Sequence, residues 1–476
     1  MEPSYRSQLT LWMHRLGQAA RRGWLLWILP LALGLALRFW ALDKLFNLDG
    51  DPLIYGSLAK NLLLHGHFGF TGAEGEIIPT LIRLPGYPLF LAACFRLFGI
   101  ENYFAAACVQ IALDLAGCLL LAGFVRRVAP AVRGAALITL WLACLCPFTA
   151  SYTAVPLAET PTLFSISLAL WAAAGFRRQP GWGNALLFTF AITWAALLRP
   201  DGALVGMALA PALLLAPPRA SLSWAKLARM AAACTLLALA PFTLWTVRNW
   251  RVFHVFEPLA PRLAVDPGEI PNLGWEHWVK SWCLDFASTY QIYWNVPGDK
   301  LEIGQLPARA FDSPAQYAET AALAADYNNN GMEITPAIDA RFEHLAQERI
   351  AAHPLRYYLW LPLGRLADMW LRPRVENLPI DLDWWVYEHH GSETIFCWAY
   401  AALNALLLLL GLAGLLCLRP PFWRAMLAYL LLRSIMLLTV QAPETRYTLE
   451  CFPMLFAAAG LALAAAIDRM NARIIS

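Results

Sequence analysis

The chain is 476 residues long, 59% hydrophobic and only 14% charged, with 21 tryptophans and a mean hydropathy of +0.50. Folded in water, such a chain would leave large apolar patches with too few charges to cover them. This excludes an ordinary soluble enzyme and a disordered protein, and makes lipid the expected solvent. The net charge of +3 includes no long basic run, so nucleic acid is not an expected partner.

A helix needs about 20 apolar residues to cross the hydrocarbon core. Ten segments qualify as candidates: 23–42, 102–125, 132–148, 159–176, 182–198, 202–216, 230–247, 394–418, 422–440 and 449–467. The fifth and sixth are short and abut at Arg199-Pro200-Asp201-Gly202, a turn signal. Segment 355–371 is aromatic and apolar but carries Arg356, Arg365 and Asp368, so it reads as a helix lying in the interface. With the N-terminus in the cytoplasm, Arg15, Arg21, Arg22, Arg126, Arg127, Arg133, Arg177, Arg178, Arg219, Lys226, Arg229, Arg419, Arg424, Arg469 and Arg473 all fall inside. Both termini are then cytoplasmic, and no cleavage pattern follows the first span.

Two outer segments are too long to be turns. Segment 43–101 holds a helix over 52–65, then Gly-rich acidic text, then a second interfacial helix over 85–99. Segment 248–393 is polar and rich in Trp, Tyr and Pro. Helices are predicted there over 313–325 and 335–352, with Ser313 and Thr335 as N-caps before Pro314 and Pro336. The expected architecture is therefore an all-α polytopic bundle, with a membrane module over 1–247, an extracytoplasmic domain over 248–393 and C-terminal spans over 394–476. Of the ten cysteines only Cys283 sits well inside a polar segment. A single thiol makes no disulfide framework, and Cys144 and Cys146 lack a second ligand pair for zinc. The cysteines read as small buried hydrophobes.

Polar residues gather at the outer ends of the spans: Arg38, Asp49, Asp51, Tyr55, Arg83, Glu159, Arg199, Asp201, Arg248, Asn249, Glu444, Arg446 and Tyr447. Arginine suits a phosphate because its planar fork donates two hydrogen bonds and stays charged. A carboxylate suits removal of a hydroxyl proton. Each residue has a plainer reading too. An arginine at a span end is ordinarily an anchor, Glu159 at a helix start stabilises the helix dipole, and Asp49 and Asp51 are loop acids. Convergence on one face is the stronger signal. Asp114 and Arg433 fall near mid-span, where charges are costly, and are expected to pair with each other, with Gln110 and Asn404 as other partners. The histidines have no metal spacing on a helix face. His389-His390 is either half a metal site or, more plainly, a pair of solvated loop residues.

These residues also carry a resemblance. Asp51-Pro-Leu-Ile-Tyr55, Leu58-Ala59-Lys60-Asn61-Leu62 and Arg83-Leu-Pro-Gly-Tyr-Pro88 resemble the first outer loop of the family 39, protein-mannosyltransferase-like GT-C glycosyltransferases, which include the aminoarabinose-lipid A transferases. Ala158-Glu159-Thr160 resembles the family's second acidic motif, and Leu198-Arg199-Pro200 its basic step between short spans. Trp245-Thr-Val-Arg248-Asn249 and Glu444-Thr-Arg446-Tyr447 resemble later landmarks. The resemblance implies a GT-C helical bundle with two interfacial helices in the first outer loop. It also implies a transferase that moves a sugar from a polyprenyl-phosphate carrier to an acceptor hydroxyl, with inversion, outside the cytoplasm. Asp51 then becomes the candidate base, Arg83 the donor-phosphate ligand and Glu159 the shaper of the acceptor side. Arg199, Arg446, Arg248, Tyr55 and Tyr447 are further substrate-binding candidates. Pro52 follows Asp51 where many members have Glu, so Asp49 can share or take over the role.

The family's metal ligands have no clear counterparts, so no metal requirement is expected, although a divalent ion stays compatible. The expected partners are the lipid-linked donor, membrane lipids and a glycan, lipid or protein acceptor. The expected location is a bacterial inner membrane, with the site facing the periplasm. The alternative reading is a transporter or flippase of a lipid-linked sugar, for which mid-membrane Asp114 and Arg433 would be suited.

Overall fold

A computed structural model describes residues 23–215 and 223–475 of the protein. Arg15, Arg21, Arg22 and Arg219 of the inside-positive set lie outside the described residues. The chain is helical almost throughout, as the composition requires. Helix α1 (Leu25–Leu45) leads into the first outer segment, where α2 (Asp51–His65) and α3 (Gly86–Phe98) flank a small antiparallel sheet. In that sheet β1 (Gly69–Thr71) pairs with β2 (Ile77–Pro79), Gly69 opposite Pro79. Then come α4 (Tyr103–Val128), α5 (Ala135–Leu145), α6 (Pro147–Tyr152), α7 (Glu159–Arg178) and α8 (Trp182–Leu198). A 3₁₀ turn at Pro200–Gly202 leads to α9 (Ala203–Leu214), followed by α10 (Trp224–Phe253). The inserted outer segment holds α11 (Leu273–Lys280), α12 (Pro314–Asn329), α13 (Pro336–Ala352) and α14 (Leu361–Leu371). The chain closes with α15 (Tyr387–Ala413), α16 (Trp423–Leu437), a 3₁₀ turn at Thr445–Cys451 and α17 (Phe452–Ile475).

The ten candidate spans are helical, but they are not alike. Five helical stretches are long and apolar enough to cross a membrane by length and composition: α1, α4, α10, Tyr387–Leu418 and Thr445–Asn471. The third candidate is broken. Pro147 has no amide hydrogen to continue the ladder and opens a new helix, leaving α5 about 16 Å long. Helix α7 is buried along most of its length between α4 and α8, and α17 packs on α5 and α15. At the end of the bundle away from α2 and α3, Arg127 stacks on Trp171 at 3.7 Å and Arg177 lies 5.5 Å from the Phe422 ring.

The expected Asp114–Arg433 pair does not form. Asp114 instead accepts from Arg38 Nε at 2.7 Å, and the Arg38 guanidinium also donates to the Gly34 and Cys144 carbonyls at 2.8 and 2.7 Å. Arg38 is fully buried and so leaves the outer-end group. Helix α16 is only fifteen residues long, which puts Arg433 in its last turns rather than at mid-depth. Gln110 is taken by Tyr87 and two backbone carbonyls, and Asn404 by Arg374 and the Trp370 carbonyl.

The outer segment has its own apolar core, with Trp275, Trp278, Trp282, Tyr327 and Phe342. Ser313 and Thr335 cap α12 and α13 as expected, accepting from the Gln316 and Ile338 amides. Helix α12 runs on to Asn329 before Gly331 turns the chain with φ 72°. The Asp339 carboxylate accepts from the Gly274 and Trp275 amides at 3.0 and 2.9 Å, which fastens α11 to α13. Cys283 is buried in this core, while Cys417 is exposed, unlike the other cysteines.

Candidate active site

Four turns meet at the α2 end of the bundle. Gly86 opens α3 against the last turn of α8, where a Cβ would lie 2.5 Å from the Leu197 carbonyl. Only a glycine permits that approach, and it brings the Arg83 segment next to the Arg199 segment. Gly202 makes the following 3₁₀ turn against the Ala195 carbonyl, 2.1 Å from a would-be Cβ. Glu159 is the first residue of α7, and Arg446, Tyr447 and Glu450 sit on the 3₁₀ turn before α17.

The side chains form one chain of alternating charge. Asp51 Oδ1 accepts from Arg83 Nη2 at 2.9 Å, and Asp51 Oδ2 lies 3.3 Å from Arg446 Nη2. Arg446 pairs in turn with Glu444 and approaches Glu159 at 3.9 Å. Glu159 accepts from Arg199 Nη1 at 2.9 Å, and Arg199 also meets Glu450 at 3.0 Å and Asp201 at 3.4 Å. Arg433 closes the chain on Asp201 and, at 3.1 Å, on Glu450. Aromatic rings support it. Tyr447 donates its hydroxyl to Glu444 at 2.5 Å, and its ring lies 5.7 and 5.8 Å from the Arg199 and Arg446 guanidinium carbons. Tyr55 lies edge-on to Tyr87 and 5.9 Å from Arg83.

Exposure is greatest at the Asp51 end of this chain and least at the Arg433 end. The Asp51 side chain is 27% exposed, Arg199 17%, Glu450 1% and Arg433 0%. Asp51 is therefore the end that solvent and a substrate reach. Burial pushes its carboxyl upward, but the Arg446 and Arg83 guanidiniums outweigh burial and hold it below the ordinary aspartate value. Five carboxylates face four arginines, and every arginine contacts at least one carboxylate. These are the sites at which an incoming phosphate can replace a carboxylate.

Of the residues expected to form the site, the fold brings together Asp51, Tyr55, Arg83, Glu159, Arg199, Arg446 and Tyr447. It does not bring Asp49, which is exposed and whose backbone amide donates to Asn47 Oδ1 at 3.1 Å. Asp49 lies in a bend before the helix, and Gly50 (φ 69°) turns the chain between it and Asp51, the first residue of α2. It does not bring Arg248 either. That guanidinium donates to the Phe68 and Thr80 carbonyls at 2.6 and 2.7 Å and stacks among Phe68, Trp245 and Phe253, so it fastens the β-hairpin to α10. Two residues join that were not in the outer-end group, Glu450 and Arg433, while Asp201 and Glu444 take part as members of it. A charge inside an otherwise apolar span was the available signal for Arg433.

No family model matches the chain, and no curated protein matches it. Among solved structures, it is similar to the oligosaccharyltransferase AglB from Archaeoglobus fulgidus, described in complex with an inhibitory peptide and a dolichol-phosphate. Identity is 13%, covering 94% of this chain and 51% of that one, with a TM-score of 0.47. It is also similar to ArnT from Cupriavidus metallidurans bound to undecaprenyl phosphate, at 15% identity over 93% of this chain and 78% of that one, with a TM-score of 0.39. Both are GT-C superfamily members. The chain thus spans about half the length of the oligosaccharyltransferase.

Proposed function

We propose that the protein is a glycosyltransferase that moves a sugar from a polyprenyl-phosphate carrier to an acceptor hydroxyl at the outer face of a bacterial inner membrane. The observation that carries this reading is the clamp on Asp51. A carboxylate at the open end of the charge chain is held by two arginines, with Glu159 and Arg199 directly behind. In the transfer step the acceptor oxygen bonds to the anomeric carbon as the bond from that carbon to the phosphate oxygen breaks. The acceptor proton passes to Asp51, and the carrier leaves as its phosphate. Arg83, Arg446 and Arg199 hold the charge that develops on the leaving phosphate, which is where preorganised donors accelerate most. Once Arg83 and Arg446 turn to phosphate, Asp51 loses the cations that made it a weak base, and its affinity for the proton rises. Attack opposite the leaving group inverts the anomeric centre. Glu159 shapes the acceptor side, and the acceptor is a glycan, a lipid or a protein.

A lipid carrier also needs a place for its tail. An apolar cavity of about 210 Å³ lies between α8, α9 and α10, bordered by Phe188, Ile192, Leu213, Met230 and Ala238. A second one adjoins it at Thr189 and runs up to Leu197 and Pro241, two residues short of Arg199. An isoprenoid laid along this path would deliver its phosphate to the arginines. The flippase reading is less well supported. The buried Asp114 is already neutralised by Arg38, and the acids sit at the rim rather than the midplane.

Asp51→Asn tests the proposal in a transfer assay with a labelled lipid-linked sugar donor and purified protein in nanodiscs. General-base loss is typically worth about 10²–10⁴-fold, so transfer is expected to fall by at least that much while the melting profile is kept. Near-full activity in that variant would remove Asp51 from the mechanism.

A further inference from the structure

Segment 380–394, which joins the outer domain to α15, holds a cluster that the transfer step does not use. His390 interrupts the helical backbone of α15 with φ −129° and ψ 42°, and this turns its ring over the preceding loop. Its Nδ1 lies 3.3 Å from Asp381 Oδ2 and 3.9 Å from Glu393 Oε2, while Nε2 lies 3.1 Å from Asp383 Oδ1. The ligand atoms of Asp381, His390 and Glu393 all fall within 4.8 Å of one another. The Asp381 amide donates to Glu393 Oε2 at 3.2 Å, which ties the two carboxylates to one place. His389 is exposed, its ring edge-on to that of His390, and His390 is only 19% exposed, so the two histidines are not equally solvated.

We infer that His390, Asp381 and Glu393 form a site for a first-row transition metal, of which Zn²⁺ is the best fit. Two features separate it from a simple ion pair. The first is spacing. Ligands about 2.0–2.1 Å from a tetrahedral zinc lie about 3.3 Å from each other. The Nδ1-to-Asp381 distance has that value, and 3.9 Å to Glu393 is too long for a hydrogen bond but within a small side-chain adjustment of the same edge. The second is charge. Three carboxylates surround one imidazole, and among the described residues no Lys or Arg lies within ion-pair distance of Asp381, Asp383 or Glu393. Even a protonated His390 would leave two negative charges uncompensated, whereas a divalent cation held by the neutral imidazole leaves one.

The division of labour follows from the ring. Nδ1 is the ligand atom, and Asp383 stands behind Nε2, where a carboxylate holds the imidazole in the tautomer with a free Nδ1. A water completes the tetrahedron. An imidazole with two carboxylates favours zinc over calcium or magnesium, which prefer all-oxygen sets. The ion would staple the loop before α15 to that helix. The same loop carries Glu376, which accepts from the Tyr152 hydroxyl at 2.9 Å. The inference stands apart from the proposed transfer.

Chelator-stripped full-length protein in nanodiscs, titrated with ZnCl₂ and followed by calorimetry and metal analysis, provides the test. Wild type is expected to hold one zinc per chain more than His390→Ala. Glu393→Gln, the milder change, is expected to bind that zinc at least tenfold more weakly, and His389→Ala and Asp51→Asn to bind it as wild type does. X-ray absorption at the zinc edge should show nitrogen and oxygen neighbours with an imidazole signature. Equal zinc content in wild type, His390→Ala and Glu393→Gln, or a sulfur-only first shell, would overturn the inference.

Discussion

Asp51 is the most exposed acid of the charge chain and is clamped by two arginines, and its acidity should report that clamp. In the free enzyme its depressed value places the acid limb of the kcat/KM profile below the ordinary aspartate value of about 3.9. Arg446→Gln removes a favourable charge while burial remains, so the limb moves to higher pH and activity at pH 5 falls more than activity at pH 7.5. A pH–rate profile in nanodiscs checks both the direction and the assignment. Arg199 touches three carboxylates at once, which a lysine's single ammonium cannot do. Arg199→Lys is therefore expected to lower kcat/KM by about 10–100-fold, equivalent to about 1–3 kcal/mol of lost charge-assisted contacts, measured with the same donor. Away from the site, Arg38→Ala strands Asp114 in the bundle. Breaking such a buried pair costs about 3–5 kcal/mol, so a large fall in melting temperature is expected. Arg38→Met with Asp114→Leu should recover much of it.

Site residues beside prolines and turns were legible in the sequence. Asp51, Arg83, Glu159, Arg199 and Arg446 each adjoin a break that fixes which end of a helix they occupy. Glu450 and Arg433 were not, because the register of a 3₁₀ turn and the short length of α16 are set by tertiary packing rather than by any period in the residues. The choice between Asp49 and Asp51 likewise depended on the backbone at Gly50.

Among the elements, α3 does more for the site than its modest length suggests. Its first turn rests on the carbonyl end of α8, and a side chain at Gly86 would strike backbone rather than a movable tip. Gly86→Val is expected to push α3 outward, carry Arg83 off Asp51 and raise KM for the lipid-linked donor, while leaving the outer domain's protease resistance intact. A steady-state titration of donor against the variant measures it. The capping residues are a contrasting case. Thr335→Ala should cost about 1 kcal/mol, visible as a small drop in thermal stability, with kcat unchanged because α13 lies away from the charge chain. These caps were readable because Ser-Pro and Thr-Pro carry their own geometry. The β-hairpin was not, since three-residue strands show no alternation, and it depends on Arg248 from a helix far along the chain. The break at Pro147 was missed because the apolar run continues through it.

At the scale of the whole molecule, the bundle has two chemically different ends. One gathers the charge chain beneath the outer domain, and the other carries the stacked arginines at the ends of α4 and α7. In a cysteine-light background, Asp49→Cys should react with a membrane-impermeant maleimide added outside spheroplasts, and Arg178→Cys only after lysis. Labelling in the reverse order would turn the protein over and move the proposed chemistry to the cytoplasm.

The surplus of carboxylates over arginines has one more outcome. The protein's own acids sit on the guanidiniums that the proposed reaction needs for phosphate, and they stay at hand throughout it. In the proposed reaction a spent carrier would compete with Asp51, Glu159 and Glu444 for the same guanidiniums, and these rivals never diffuse away. Free phosphate, lacking a tail to hold it, should compete poorly and inhibit weakly. On that proposal, a carrier that has lost its sugar would be eased off by the groups that made room for it, and turnover would not wait on tight product binding.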